Sequence, residues 1–256
     1  MENKIKMIIT DLDKSLLNNE RSITKYTKDV FLECINNGII IVFASARPLR
    51  YIKIFNEFIT PNAIICHNGA IAYINNTKLY SCGINPNIAK YLLENIIEKY
   101  PNVKLSIETN DKIYSNFDPS LIWKDIIYEK MDLNNFPKTE IDKIIIGMEN
   151  INEIKNMKYL IPEELYLEIS EGEIGLIMNK GATKWNGIKK ILEYYKMDVK
   201  NTIAFGDDLN DLEMIKNCGV GVAMENGLEE IKNNANYICG NNEEDGIAKW
   251  IKKNIK

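Results

Sequence analysis

Acidic and other polar residues follow several apolar segments that lie far apart in the sequence. Asp11 and Asp13 come after the apolar run 6–10, and Asp207 comes after the run 202–205. Alternate residues of an extended strand point the same way, so Asp11 and Asp13 would place two carboxylates together and need a cation or a shared proton. An all-oxygen cluster suits Mg²⁺, which binds substrate phosphate. Further residues at such ends are Ser45, His67, Asn68, Gly69, Asp208 and Asp211.

A D-x-D pair alone is weak evidence, because two aspartates can equally end a strand and cap a loop. The chemical interpretation gains because four predicted strand ends carry suitable groups in order. In an open α/β sheet, ligands bind outside the carboxyl ends of the strands. The pattern therefore predicts one site at one edge of a sheet.

The segments that would position these residues alternate between predicted strands and predicted helices. Continuous apolar runs of this length are typical of strands buried on both faces of a parallel sheet. The alternation predicts an α/β fold with a doubly wound, mostly parallel sheet. The predicted strands are 6–10, 39–43, 63–66, 202–205 and 219–223, and the predicted helices are 27–36, 48–58, 184–195 and 209–217.

The middle of the chain has a different pattern, with paired short strands and helices between them. Residues 71–73 and 78–81 predict a hairpin that turns at Asn75 and Asn76. Further strands are predicted over 103–108, 112–115, 143–148, 166–169 and 174–178, and helices over 87–99, 121–131 and 151–160. This pattern predicts an α+β module at 83–178, inserted into an α/β domain formed by 1–82 and 179–256.

Composition predicts a folded protein of a reducing compartment. The chain has 256 residues, 45% of them hydrophobic, and a net charge of −4. Its lysines are mixed with acids, so we expect no nucleic-acid partner. Five cysteines without a C-x-x-C disfavour a disulfide framework or a zinc site. Without a signal peptide or an apolar stretch of about 20 residues, we expect a cytoplasmic monomer or weak homo-oligomer with no membrane partner.

Four segments resemble, in order, the motifs of the haloacid dehalogenase (HAD) superfamily of phosphatases. Residues 11–17, Asp-Leu-Asp-Lys-Ser-Leu-Leu, resemble D-x-D-x-[ST], and residues 44–48 resemble the second motif, commonly T-G-R-P. Residues 180–184 are similar to the third motif, in which a lysine precedes or opens a helix, and residues 206–211 resemble G-D-x-x-N-D. The nearest branch is the Cof-type sugar-phosphatase group, which has an inserted cap and which residues 68–70 and 219–224 also match. The resemblance implies the HAD-like Rossmannoid fold.

The resemblance implies a role for each matching residue. Asp11 would be the nucleophile, and Asp13 the general acid and then the base that activates water. Asp11, Asp207 and the main-chain carbonyl of Asp13 would hold Mg²⁺, with Asp211 in support. Lys184 would stabilise charge on the transferring phosphoryl group. The residues expected to bind substrate or phosphate are Lys14, Ser45, Ala46, Arg47, Asn68 and Asn210.

The sequence departs from the family pattern at Lys14 and Ala46, where Gly is commoner, and at Ser15 and Ser45, where Thr is commoner. Lys14 either adds charge beside the substrate or faces solvent. Arg47 either contacts the substrate, which we prefer, or pairs with an acid at the rim of the cleft.

Other assignments also have alternatives. Lys180 competes with Lys184, although the preceding Ala-Thr pair favours Lys184. Asp208 is alternatively only a helix cap. His67 is expected to be structural. The aromatic residues of the module are expected to belong to its core or to stack on a sugar; they are Tyr114, Trp123 and Tyr128.

The leading functional hypothesis is a magnesium-dependent phosphatase of sugar phosphates or similar small phosphorylated metabolites, whose inserted module acts as a lid that selects the leaving group. One alternative is a phosphomutase, which would pass the phosphoryl group to a second sugar hydroxyl. Another is a non-catalytic binding or regulatory protein that keeps the fold. Intact Asp11, Asp13, Lys184 and Asp207 argue against the non-catalytic alternative.

Overall fold

The computed structural model describes residues 4–121, 123, 126–170 and 172–255, and the chain divides into two compact units. The first unit comprises Met1–Ser81 and Thr183–Lys256, and the second comprises Cys82–Ala182. The second unit is thus an insertion between two parts of the first.

The first unit is built on an eight-stranded sheet. Six adjacent strands of this sheet are parallel, and a hairpin adds two antiparallel strands at one edge. Residues of the central strand Met7–Thr10 are all buried, which accounts for its continuous apolar sequence. Across the sheet, the strands are Tyr237–Ile238, Val220–Ala223, Thr202–Gly206, Met7–Thr10, Ile40–Ala44, Ala63–Cys66, Ile71–Ile74 and Thr77–Ser81.

Helices pack against both faces of this sheet. Ile8 belongs to one core cluster with Phe31 of the first helix, while its neighbour Ile9 belongs to a second cluster with Ile188. Because adjacent residues of a strand point to opposite faces, both faces are covered, and the predicted doubly wound α/β class is confirmed. The helices are Lys25–Asn36, Leu49–Ile52, Lys184–Tyr195, Leu212–Asn217, Glu229–Asn234 and Gly246–Asn254.

The second unit contains a mostly antiparallel six-stranded sheet with its own hydrophobic core. The helices Pro86–Lys99 and Ile151–Asn156 contribute Leu92, Leu93 and Ile154 to that core. Across the sheet, the strands are Leu165–Ser170, Ile174–Asn179, Lys143–Gly147, Lys104–Thr109, Lys112–Ser115 and Glu129–Lys130. Its strands and helices form the predicted α+β arrangement.

The helix predicted over 121–131 is wrong within the described residues. Pro119–Leu121 forms a single 3₁₀ turn, and Glu129–Lys130 is a strand that pairs with Lys112–Ser115. Residues 122, 124 and 125 lie outside the described residues. Pairing with the neighbouring strand, together with a 2.7 Å ion pair between Lys112 and Glu129, prevails over the helix-like spacing of the apolar residues.

Three other predicted helices begin or end as 3₁₀ turns. Helices 48–58 and 151–160 change to 3₁₀ geometry at Lys53 and at Met157, and helix 209–217 starts as the 3₁₀ turn Leu209–Asp211. Tightening of helix ends in this way is common.

The hairpin predicted at Asn75 and Asn76 is confirmed. Both residues have positive φ, 46° and 65°, as a type I′ turn requires. Of the helices that the structure describes, none is long and apolar enough to cross a membrane.

Candidate active site

Three buried carboxylates come together at the carboxyl ends of two adjacent parallel strands. Asp11 follows Met7–Thr10, and its main-chain N–H donates to Phe205 of the neighbouring strand at 3.0 Å. Asp207 follows that neighbouring strand directly, and Asp211 lies one turn further on. Carboxylate oxygens of Asp11, Asp207 and Asp211 lie within 4.8 Å of one another. The sequence prediction that these acids meet at one sheet edge therefore agrees with the geometry.

Lys184 lies between two of these carboxylates. Its Nζ is 2.6 Å from Asp11 Oδ1 and 2.7 Å from Asp211 Oδ1, and its side chain is 1% exposed. Lys184 is the first residue of its helix, where the helix dipole disfavours a cation. The two carboxylates offset this cost. Lys180, the alternative candidate, is exposed and belongs to the second unit.

Burial beside other charged groups shifts the pKa values of Asp11, Asp207 and Lys184. Burial raises the pKa of Asp11 well above its ordinary value, against the opposing effect of the Lys184 ammonium. Burial and the Asp211 carboxylate raise the pKa of Asp207 to about 7, although the Ser15 hydroxyl opposes them. Burial acts to lower the pKa of Lys184, but Asp11 and Asp211 outweigh it and the pKa is raised. Three ionised carboxylates would carry more negative charge than Lys184 alone can balance, so without a further cation the cluster tends to retain protons.

The donor atoms of this cluster suit a hard divalent cation. They are all oxygens, they are buried, and their excess charge is negative. Asp11 and Asp207 are each held through Oδ1 in the hydrogen bonds that the structure describes, by Lys184 and by the hydroxyl of Ser15 at 2.9 Å. Their second oxygens are the donors that a cation would use. The residues present therefore fit the predicted Mg²⁺.

Asp211 organises the loop that carries Asp207. One of its oxygens accepts from Lys184, and the other accepts the main-chain N–H groups of Asp207 at 3.0 Å and Asp208 at 3.2 Å. A Cβ at Gly206 would lie 2.5 Å from the Asp211 carboxyl carbon, so the close approach of this carboxylate requires glycine there. Both oxygens of Asp211 thus accept hydrogen bonds within the cluster.

Asp13 does not share the position of Asp11, which corrects the expectation drawn from strand alternation. The strand ends at Thr10, and Leu12–Leu16 forms a helical turn closed by bonds from Leu16 N to Asp11 O and from Leu17 N to Leu12 O. The carboxylate of Asp13 is therefore absent from the group of buried acids, and its side chain is 46% exposed. Leu12 is buried, as predicted.

Arg47 pairs with Asp13, which is the second of the two predicted alternatives, and the preferred contact to substrate stays a prediction. Arg47 Nε lies 2.7 Å from Asp13 Oδ2, and Nη2 lies 2.5 Å from Oδ1. This is the bidentate geometry that makes such pairs strong. The guanidinium also lies 5.5 Å from the ring centre of Phe55. Burial acts to lower the pKa of Arg47, but the Asp13 carboxylate outweighs it and the pKa is raised.

Several predicted phosphate-binding residues join one hydrogen-bonded chain that reaches Lys184. Asn210 Oδ1 lies 3.4 Å from Lys184 Nζ, and Asn210 Nδ2 donates to Asn68 Oδ1 at 3.1 Å. The main-chain N–H of Asn68 donates to the carbonyl of Ser45 at 3.1 Å. Ser45 is buried and Ala46 half-buried. The side chains of Asn68 and Asn210 and the main chain of Ser45 are thus linked to Lys184, and their binding of phosphate stays a prediction.

The structure decides some of the open alternatives. Asp208 is exposed and caps the turn that follows it, so the capping interpretation is confirmed. His67 is buried in a tight turn, and its main-chain N–H donates to the carbonyl of Arg47 at 3.1 Å. Lys14 is exposed and has φ 59°. In the second unit, Tyr114 packs against the core, Trp123 is half-buried and Tyr128 is 38% exposed.

Sequence reasoning missed the contact from Ser15 to Asp207. The sequence signal for it is that Ser15 occupies the hydroxyl position of the D-x-D-x-[ST] pattern, and the sequence alone predicts no contact for that hydroxyl. The partner lies 192 residues further along the chain. Such a pair becomes visible only once the two strand ends are placed side by side.

Comparison with known proteins gives consistent relatives. The family model described as haloacid dehalogenase-like hydrolase matches residues 8–251. A Haemophilus influenzae protein provisionally named as a phosphatase is 31% identical over 258 residues, covering 95% of either chain. The Bacillus subtilis 5-amino-6-(5-phospho-D-ribitylamino)uracil phosphatase YitU is 28% identical and covers 99% of this chain and 98% of its own. The solved structure of BT4131, titled a HAD subclass IIB sugar phosphatase, has a TM-score of 0.83 at 22% identity, covering 97% and 98% of the chains.

Proposed function

This chain belongs to the haloacid dehalogenase-like hydrolases and is a phosphoric monoester hydrolase, and we propose that it acts with Mg²⁺ through an aspartyl phosphate on Asp11. The observation that supports this mechanism is the buried Asp11 carboxylate, held 2.6 Å from Lys184 and beside Asp207. A carboxylate nucleophile divides the hydrolysis into two easier displacements. In the first, Asp11 attacks phosphorus and the alcohol leaves. In the second, water releases phosphate from Asp11.

Electrostatics within the cluster explain why Asp11 is suited to this attack. Lys184 orients the carboxylate and places a buried cation where the phosphoryl group would carry charge. Asp11, Asp207 and the main-chain carbonyl of Asp13 would hold Mg²⁺, which when bound would offset repulsion between the attacking carboxylate and the phosphate. Asp211 keeps Lys184 and the Asp207 loop in place through its two oxygens.

Asp13 is proposed as the general acid for the leaving alcohol and then as the base that activates water. Its half-exposed carboxylate stands apart from the buried acids, so it can exchange protons with substrate and solvent. Both its oxygens are engaged by Arg47. Proton transfer therefore requires that one of these two contacts be exchanged for the leaving-group oxygen. Ser45, with Asn68 and Asn210, is proposed to bind the phosphate oxygens.

We propose sugar phosphates or related polyol phosphates as the substrate class. The names of YitU and BT4131 both describe phosphate carried on a sugar or a sugar alcohol. The second unit is proposed as the cap that selects the leaving group. The mutase and non-catalytic alternatives are supported by no observation within the described residues.

The test is phosphate release from p-nitrophenyl phosphate and a panel of sugar phosphates, with Mg²⁺ or with EDTA. Wild type is compared with Asp11→Asn and with Asp29→Asn, an exposed helical aspartate that serves as the matched control. We expect metal-dependent release that Asp11→Asn abolishes and Asp29→Asn retains. Full activity in Asp11→Asn would refute the nucleophile assignment. Phosphate transfer to a second sugar hydroxyl without free phosphate would indicate a mutase.

A further inference from the structure

The turn that carries Asp13 contains a residue in a left-handed conformation. Lys14 has φ 59° and ψ 9°, a region that costs a residue with a side chain about 1 kcal/mol. Lys14 stands between Asp13 and Ser15, whose hydroxyl donates to Asp207 Oδ1 at 2.9 Å. The conformation of this one residue therefore sets the direction of Asp13 relative to the carboxylate cluster.

Asn226 contacts the main chain of this turn directly. Its Nδ2 donates to the Lys14 carbonyl at 2.7 Å, and its Oδ1 accepts the main-chain N–H of Asn242 at 3.0 Å. Since one end of the amide meets an acceptor and the other a donor, only one orientation of the amide satisfies both. The buried Asn242 in turn donates to the Leu17 carbonyl at 3.0 Å. Two asparagines thus hold the turn at its left-handed residue and at its end.

The segment that carries Asn226 is also fixed to the loop of Asp207. The main-chain N–H of Leu228 donates to the Asp207 carbonyl at 2.9 Å, and that of Met224 donates to the Gly206 carbonyl at 3.0 Å. The segment therefore couples the turn of Asp13 to the cluster through main-chain bonds. Asn226 is the side chain through which it reaches Lys14.

We propose that Asn226 is a positioning residue for Asp13 in phosphate-ester hydrolysis. Its amide holds the Lys14 peptide left-handed, so that the Asp13 carboxyl is presented to the leaving-group oxygen. The inference rests on the proposed role of Asp13 as the general acid. Asn226 would touch neither substrate nor metal, and would act on Asp13 through the main chain of Lys14.

The discriminating variant is Asn226→Asp, which replaces the Nδ2 donor by an oxygen and keeps the acceptor for Asn242. The matched control is Asn217→Asp, because Asn217 is also exposed and donates to a main-chain carbonyl at 2.7 Å, on a helix surface. Activity is measured on p-nitrophenyl phosphate, whose stable phenolate needs little protonation, and on glucose 6-phosphate, whose alkoxide needs the acid. Asp13 is also the proposed base of the second displacement, which both substrates share, so the comparison uses kcat/KM, which reports the steps up to departure of the alcohol. For Asn226→Asp we expect kcat/KM to fall about tenfold on glucose 6-phosphate and less than about threefold on p-nitrophenyl phosphate.

Unchanged kcat/KM on glucose 6-phosphate, or equal losses of kcat/KM on both substrates, would overturn the proposal, because a merely structural defect lowers both values alike. Deuterium uptake of the main-chain amides in residues 11–17 gives a second readout, and we expect faster exchange in Asn226→Asp than in wild type or Asn217→Asp. Equal uptake in all three proteins would overturn the proposal whatever the activity. Wild type that releases phosphate from neither substrate would instead refute the proposed function and leave the exchange experiment as the test of the turn.

Discussion

The ion pair between Lys184 and Asp211 offers the most quantitative test of the site. Both side chains are almost completely buried and their charged atoms are 2.7 Å apart. Removing one partner of a buried pair leaves an uncompensated charge and typically costs about 3–5 kcal/mol of the free energy of unfolding. We expect Lys184→Met to cost about 3 kcal/mol in the absence of metal, because it leaves buried carboxylates without a countercharge. Asp211→Asn leaves Lys184 paired with Asp11, but its NH₂ group cannot accept the bonds that one carboxylate oxygen accepted, and we expect it to cost about 1–3 kcal/mol. The double variant should be more stable than the sum predicts, by about 2 kcal/mol.

The assay is urea unfolding in EDTA, followed by tryptophan fluorescence in a Trp123→Phe background. Trp185 and Trp250 then remain, and both belong to the hydrophobic clusters of the first unit. The fluorescence change therefore reports on the unit that contains the ion pair. It also avoids mixing the unfolding of two units, which would violate the two-state assumption.

An exposed pair on the helix of Lys184 is the control. Lys190 and Glu193 are 2.9 Å apart, but their side chains are 44% and 64% exposed. A cycle of Lys190→Met and Glu193→Gln should show coupling below about 0.5 kcal/mol. The reasoning is refuted if the costs of Lys184→Met and Asp211→Asn sum to within about 0.5 kcal/mol of the cost of the double variant. The two charges would then stabilise the fold independently.

Three further predictions concern the same sheet edge. The pKa of Asp207 is about 7 in the folded state against an ordinary 3.8, so between these pH values the folded state binds a proton that the unfolded state has lost. The metal-free free energy of unfolding should therefore fall as pH rises through this window, by up to about 1.4 kcal/mol per pH unit. Urea unfolding in EDTA measures this fall, which Asp207→Asn and added Mg²⁺ should each reduce. Gly206→Ala should lower the free energy of unfolding by about 2 kcal/mol or more, since the new Cβ would meet the Asp211 carboxyl at 2.5 Å; an unchanged melting temperature would contradict this. Asp13→Asn should change stability by less than about 1 kcal/mol, because its pair with Arg47 is partly exposed, yet greatly lower kcat on alkyl phosphates; retained kcat would count against Asp13 as the acid.

The positions of the buried acids could be predicted because parallel strands end at the same edge of a sheet. Asp11 and Asp207 each follow a continuous apolar run, and the runs prove to be neighbouring strands in register from Met7 and Thr202 onward. Strand periodicity and sheet topology act on whole segments, so they are visible in one sequence. The fold class and the meeting of these two acids follow from the same regularity.

The orientation of Asp13 could not be predicted in the same way. It depends on where the strand stops, which is decided by two main-chain bonds that each span five residues and by the left-handed residue Lys14. Its partner Arg47 lies 34 residues away, and the asparagine that holds Lys14 lies 212 residues away. No local pattern encodes such contacts, because each requires both segments to be folded first.

The loop motif at 206–211 shows how one site can assign different tasks to identical residue types. Asp207 contributes an oxygen to the carboxylate cluster, whereas Asp208 caps a turn at the surface. One oxygen of Asp211 accepts from Lys184, and the other accepts from main-chain N–H groups. A carboxylate that already accepts an ammonium and two N–H groups has little remaining capacity for a cation. Lys184 is thereby fixed by Asp211 and remains able to hold Asp11. In the proposed mechanism, Asp11 and Asp207 would therefore be the carboxylates that hold the cation, and Asp211 would keep the proposed nucleophile and the ammonium together through both displacements.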